Sequence, residues 1–380
     1  MRVRGILYLR MAFNLFNFLG VFKPKSRLGI DIGTSAIKIV ELSQDKGRWK
    51  LENYGIYELH SDGGVADTAK SIMDLSDAEI AAAIGQILTT AGMKSRQAVA
   101  SVSSFSTFAT VIEMPYTTEE ELAKTIPFEA RKYIPVPIDQ VVLDWSIIGV
   151  VGDDGPVSLP QAPAAQGTNV MVEVFLAAVP KDETARYQRI MKAAGIDLVA
   201  LELENSSLVR ALLGNDLSLT AIVNIGGRSS TIVVVSKGYE RLGHNYEIGG
   251  YEMTKAIATA LSISEDQAEA LKRKYGLIDN PDNKIRGAMM PLVDMMVFET
   301  KKTIESFEQS KGQHISRIVL IGGLANTPGL AQYVKDRIGR DVFIGNVFAR
   351  LMYPEELGPL TQSLSSTISV AVGAAMRESS

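Results

Sequence analysis

Residues 28–42 read LGIDIGTSAIKIVEL, and residues 220–240 read TAIVNIGGRSSTIVVVSKGYE. Each begins as a short apolar run that ends in an acid or an amide, Asp31 in the first and Asn224 in the second. Each then passes through glycine and hydroxyl residues, Gly33-Thr34-Ser35 and Gly226-Gly227-Arg228-Ser229-Ser230, and leaves as a second apolar run. Alternating residues around a tight glycine turn predict a strand–turn–strand hairpin in both places. The offset of about 190 residues is far beyond the period of stacked repeats, so the pair predicts two related lobes.

A third glycine turn, Gly322-Gly323, follows the apolar run RIVLI, and Gly249-Gly250 opens a stretch with helical spacing. Glycine lets backbone approach a ligand closely. Successive turn N–H groups with Ser and Thr hydroxyls form an anion-binding concavity. Two such hairpins facing each other across a cleft can clasp a polyphosphate, and a third turn can pass beneath the sugar or base. No Walker A loop and no dinucleotide fingerprint occur. A single glycine hairpin signals little, and it is the paired arrangement that points to a nucleotide. Asp31 closes an apolar strand, where an unpaired acid is costly, so it should meet a cation or hydrogen bonds, or cap its turn.

The rest of the chain arranges itself around these hairpins. WKLENYGIYEL (49–59) reads as a third strand, 76–92 as a capped helix and 97–103 as a buried strand. A different texture occupies 104–180. It has strands at FATVIEMP, VVLDWSIIGVV and NVMVEVFLAAVP, and a helix beginning at Thr118 in which Pro127 predicts a kink or a break. GDDGPVSLPQAPAAQGT, inside that module, reads as a mobile loop. The expected division is a lead-in at 1–26 and a first lobe at 27–103 and 181–215 interrupted by the module at 104–180. A second lobe follows at 216–248 and 315–362 around a subdomain at 249–314, and a closing helix at 363–380 returns to the first lobe.

Composition removes several alternatives. The 380 residues are 46% hydrophobic and 22% charged with a net charge of −4, an ordinary globular balance that gives nucleic acid no basic face to meet. The chain has no cysteine, which excludes disulfides, thiolate zinc sites and cysteine nucleophiles and points to a reducing cytoplasm. Its three histidines, His60, His244 and His314, are isolated, so a Ser-His-Asp triad or a histidine metal site is not expected. Residues 5–22 are mostly apolar, but Arg10, Asn14 and Asn17 interrupt them. They read as a lead-in or a weak membrane-surface or partner segment, not a span.

The order of turns resembles the actin/Hsp70/hexokinase ATPase superfamily, most closely its FtsA-like branch and the PilM family of type IV pilus assembly proteins. The residues that carry the resemblance are Gly29-Ile30-Asp31-Ile32-Gly33-Thr34-Ser35 with Lys38, Asn224-Ile225-Gly226-Gly227, Gly249-Gly250 with Thr254, Glu269 and Lys272, and Gly322-Gly323-Leu324. The FEARKYIPVP run (128–137) and the short end at Ser380 direct it to the PilM family. The resemblance implies an α/β, two-lobed actin-like fold of duplicated RNase H-like lobes with an inserted 1C subdomain. It also implies ATP and Mg²⁺ as cofactors. Asp31 would be the metal ligand. Gly33, Thr34, Ser35, Lys38, Asn224, Gly226, Gly227, Ser229, Gly249, Gly250, Glu269, Lys272, Gly322 and Gly323 would be the nucleotide contacts. Glu269 and Lys272 have the spacing of one helix face, which also suits a surface ion pair.

The implied partner is a PilN-like inner-membrane protein, held by its cytosolic N-terminal tail in a cleft between the 104–180 module and the first lobe. Other platform proteins, assembly ATPases and self-association are further partner expectations. The implied location is the cytoplasm, with attachment to the inner membrane through that partner. Active relatives carry Asp where this chain has Asn224, and an amide is neither a base nor a charge, so hydrolysis is expected to be slow or absent. Glu202 and Glu204, near the end of LVALELE, either compensate or cap the following helix. The alternatives are a sugar or acid kinase of the same superfamily, and an FtsA-like filament protein.

Overall fold

The architecture below is that of a computed structural model, which describes residues 6–9, 26–59, 71–152, 155–156, 170–278 and 283–378. The hairpin Arg27–Ile32 and Ala36–Asp45 continues into Arg48–Glu58, and Gln97–Val102 and Asp197–Leu203 add in parallel on the other side. The second lobe repeats this order. Thr220–Ile225, Ser230–Ser236 and Tyr239–Tyr246 form the antiparallel part, and Arg317–Ile321 and Asp341–Ile344 the parallel part. The two related hairpins are therefore the corresponding first strands of two corresponding sheets. Ile6–Leu9, within the expected lead-in, pairs antiparallel with Arg48–Glu58. The remainder of residues 1–25 lies outside the described residues.

Alternation along the first-lobe strands sends apolar side chains to both faces, so both are covered. Helices Asp77–Thr90 and Lys181–Ala193 cover one face through Ile80, Ile84, Ile87, Tyr187 and Ile190. The helix Thr361–Ala375 covers the other through Ile368, Ala371 and Val372. In the second lobe, Gly250–Leu261, Lys284–Lys311 and Leu330–Ile338 pack on one face, and Glu204–Leu212 and Val370 on the other. Helices Glu204–Leu212 and Thr361–Ala375 thus cross between the lobes and belong to both cores.

The stretch between the two parts of the first lobe forms a separate antiparallel sheet in the order Phe108–Pro115, Met171–Pro180, Val141–Gly152 and Gly155–Pro156. Helix Glu119–Ala130 closes one face with Leu122, Ile126 and Ala130. It runs through Pro127 without a break. Pro127 falls in the last turn, so the lost hydrogen bond and the ring's clash with the carbonyl four residues earlier act on a helix that is about to end. Apart from Gly152 and Gly155–Pro156, the Gly- and Pro-rich loop lies outside the described residues.

The C-terminal helix can cross the first sheet closely because residue 29 is glycine. A Cβ there would overlap the Ala371 carbonyl oxygen and lie 2.6 Å from Ala375 N. Gly29→Ala should force the helix off the sheet and cost about 3 kcal/mol. Urea unfolding measures this, and an unchanged midpoint would show that the close approach is dispensable.

Candidate functional site

The two hairpin turns meet. Gly226 N donates to Ser229 O at 2.9 Å and Gly33 N to Ala36 O at 3.0 Å, which closes each turn on itself. A Cβ on Gly227 would overlap the Ser35 hydroxyl and lie 3.6 Å from the Thr34 hydroxyl, so the turns face one another in direct contact. The first turn is braced by Ile72 N and Ser71 Oγ, which both donate to Thr34 O. The Gly249-Gly250 turn is tied beneath the second, because Gly250 N donates to Gly226 O and Tyr251 N to Gly227 O. Gly322 has φ of 92°, a region that favours glycine, and its N–H is held by Ser366 O on the C-terminal helix. Gly323 is exposed, with nothing within 4 Å of where a Cβ would stand.

Charged groups collect behind the turns. Asp31 is buried and paired with Lys38 Nζ at 3.0 Å, directly across the hairpin. Of the cation, hydrogen bonds or turn cap expected at Asp31, Lys38 supplies a cation that is also its hydrogen-bond donor. Burial works against the Lys38 ammonium, but Asp31, with Glu204 and Glu58 behind it, holds its pKa above the ordinary 10.5. Glu204 stands at the start of helix Glu204–Leu212 and accepts from Asn224 Nδ2 at 2.8 Å and from Ser104 N at 3.3 Å. Burial, then the negative Asp31, pushes its carboxyl up to about 7 against the opposing effect of those donors and Lys38. Tyr187 places a buried hydroxyl without a hydrogen-bond partner where it feels both Asp31 and Glu204.

The two acids at 202 and 204 have separate fates. Glu202 leaves the cleft and binds Arg210 Nη1 and Nη2 at 2.7 and 2.9 Å and Arg377 Nη1 at 3.2 Å, and it also accepts from Ser207. It joins the helices and does not cap one, since the helix has no side-chain cap. Glu269 and Lys272 do share a helix face, but not at the surface. Lys272 is buried, and its Nζ reaches Glu269 Oε2 at 2.6 Å, Thr254 Oγ1 at 2.6 Å and Gly250 O at 2.8 Å. Lys272, together with Thr254 and Arg273, holds the Glu269 carboxyl down to about 2 in spite of burial. The pair therefore anchors the Gly249-Gly250 turn.

Sequence reasoning missed Tyr187, which is one member of an apolar helix stripe and carries no separate signal. The module's outer face leans on the second lobe's edge strand through Glu173–Arg241 at 2.9 Å and Phe175–Tyr239 at 6.4 Å between ring centroids. The resulting cavity lies where module, first lobe and second lobe meet. The module's strand register sends Glu173 and Phe175 to the face opposite its helix, which fixes the contact with the edge strand.

Two corresponding lobes hinged by crossed helices, with glycine turns opposed across the cleft, define an actin-like ATPase fold. The family model for type IV pilus assembly protein PilM matches residues 29–379, and the chain belongs to that family. A solved PilM–PilN type IV pilus biogenesis complex contains a chain of the same fold, with a TM-score of 0.76 and 22% identity over 93% of this chain and 99% of that one. MreB 5 of Spiroplasma citri bound to AMPPNP has a TM-score of 0.50 and 12% identity over 92% and 95%. Cell division protein FtsA of Enterococcus faecalis is 23% identical over 90% of this chain and 82% of its own length.

The buried acid yields a pH dependence. Glu204 keeps its proton in the folded chain at pH values where the unfolded chain has lost it. Folding stability should therefore fall as pH rises from about 4.5 to about 7 and level off above. Glu204→Gln removes this component, so its stability relative to the parent should climb across that window. Urea midpoints from pH 4.5 to pH 8 test this, and parallel curves for the two proteins would contradict it.

Proposed function

We propose that the chain is a nucleotide-binding scaffold of a type IV pilus, or related secretion, assembly platform. In this reading it reaches the inner membrane by holding the cytosolic N-terminal tail of a PilN-like protein. The observation that carries this reading is the fold shared with the PilM–PilN complex across nearly all of both chains. Further platform proteins, assembly ATPases and other copies of itself are its additional partners. Among the described residues no helix is long and apolar enough to cross a membrane, which is consistent with attachment through a partner.

ATP with Mg²⁺ is the cofactor of this reading. The AMPPNP bound to MreB 5 in a chain of similar fold supports it, as do the opposed glycine turns. Among the described residues no cluster of three acids or histidines stands ready for a metal, and Asp31 and Glu204 are what the cleft supplies. That donor set suits Mg²⁺, which keeps its waters and takes one or two carboxylates with phosphate oxygens. Asp31 would hold it through water. The turn amides around Gly33 and from Gly226 to Ser229, with the Thr34 and Ser35 hydroxyls, would take phosphate oxygens. Lys38 would offset their charge. Gly249, Gly250, Glu269, Lys272, Gly322 and Gly323 would border the nucleoside.

Hydrolysis in this reading is slow. Asn224 spends its amide on Glu204 and offers neither a base nor a charge. Gly227→Val would drive a branched side chain between the turns. Calorimetry should then show ATP affinity reduced at least about tenfold with the circular dichroism unchanged. Phosphate release by the parent protein should run well below the roughly 10 per second of a median enzyme. Unchanged affinity would remove the assignment of the turns, and rapid turnover would favour a kinase-like reading.

The tail is assigned to the module because every glycine turn lies outside it, and an antiparallel sheet beside a cleft suits an extended peptide. Phe108 and Ala178 are strand partners, so the ends of the module are adjacent and can be rejoined. Excision of 105–178 should leave ATP binding largely intact and abolish capture of the PilN-like tail. A folded deletion that captured the tail at full strength would refute the assignment.

A further inference from the structure

The cavity between module and lobes has a volume of about 200 Å³. One water's share of the liquid is about 30 Å³, so this space accommodates a whole side chain. Phe108, Ile134, Leu176 and Leu203 supply apolar walls, and Asn205 and Glu240 supply buried polar groups, only 4% and 7% exposed. Asn205 Nδ2 donates to Glu240 Oε2 at 3.1 Å, which spends the amide on steadying the carboxylate. Asn205 Oδ1 is left buried without a partner. Glu240 Oε1 lies over Gly243, in the space a Cβ would fill.

Among the described residues no lysine or arginine pairs with Glu240. The neighbouring Arg241 is taken by Glu173. Burial lifts the Glu240 carboxyl to about 7, with the Asn205 hydrogen bond pulling the other way. A buried carboxylate without a cation and an orphaned amide oxygen beside it are costly to maintain. Their complement is a group with several donors and a positive charge on an aliphatic stem, which describes arginine and lysine.

We propose that this cavity receives a basic side chain of a peptide docked on the module. Glu240 and Asn205 Oδ1 hold its charged head, and Phe108, Ile134 and Leu176 hold its stem. The proposal rests on the reading that a partner tail docks at the module, and it adds what that tail must carry. Exclusion of water strengthens the pairing, because the charge-assisted hydrogen bond forms beside apolar walls.

The test uses the full chain and two probes. One is N-acetyl-arginine methylamide, followed by the side-chain amide resonances of Asn205. The other is the synthetic N-terminal tail of the PilN-like partner, N-acetylated or with its amine free, with its basic residues intact or replaced by norleucine. The intact tail should bind Glu240→Gln about 30-fold more weakly than the parent, and the norleucine tail should bind both alike. The arginine probe should shift the Asn205 resonances in the parent and not in Glu240→Gln. Should that variant not fold, Gly243→Ala takes its place, because it crowds the carboxylate while keeping its charge. Equal tail binding by parent and variant, with no response to the arginine probe, overturns the cation site and leaves tail docking standing. An effect of acetylating the tail that exceeds the effect of norleucine assigns the terminal amine and overturns the side-chain proposal. A tail that does not bind, beside a Glu240-dependent arginine response, overturns the docking reading and retains the chemistry of the cavity. Failure of both probes overturns both.

Discussion

The lobes are held at the distance that two glycines permit. Gly29 lets the C-terminal helix lie against the first strand of the first sheet, and Gly373 lets the same helix lie against Ser207 on helix Glu204–Leu212. Both contacts are backbone against backbone, so no side chain can rearrange to relieve an added methyl. The helix pair then fixes what depends on it. Gly322 N is held by Ser366 O, Val347 N by Ser365 Oγ, and Arg210 reaches Gly373 O at 2.6 Å and Glu202 at 2.7 Å. Each of these bonds ties a part of one lobe to a helix that also belongs to the other.

That spacing sets the electrostatics of the cleft. Asp31 comes from the first sheet, Glu204 from the crossing helix and Asn224 from the second sheet, and only the crossing brings them together. Burial, and after it the nearby Asp31, raises the Glu204 carboxyl, while Asp31 is paired with Lys38. The cleft therefore holds one carboxyl already paired with a lysine and one raised by burial, beside an amide where an acid could have stood.

What could be read in the sequence was local. Glycine, hydroxyl and alternating residues specify the hairpins at 27–45 and 220–236 without outside help, and the cross-strand register puts Lys38 opposite Asp31. Their repetition revealed the duplicated lobes. What could not be read depended on which distant element packs where. Glu202 and Glu204 look alike in sequence, yet one closes a strand beside Arg210 and Arg377 and the other opens a helix facing Asn224. The Glu269–Lys272 spacing is the same for a surface pair and a buried one, and only the approach of Gly250 O decides between them. Tyr187, Asn205 and Glu240 became notable through what their neighbours fail to provide, and a linear sequence does not display that.

Cleft and cavity are not independent places, because Ser104 belongs to both. Its N–H donates to Glu204 in the cleft, its carbonyl accepts from Asn245 Nδ2 at 2.9 Å, and its hydroxyl sits 3.0 Å from Thr231 Oγ1. It also lines the cavity, beside Asn205 and Glu240. The residue is buried, so these bonds have no water to replace them. A change in the charge on Glu204 alters the strength of the Ser104 N–H bond, and any movement of Ser104 is transmitted to Asn245 and Thr231 on the second lobe. Ser104 is thus the hydrogen-bonded step that joins the cleft carboxyl to two strands of the second lobe and to the cavity wall, and its position answers to the packing of all three.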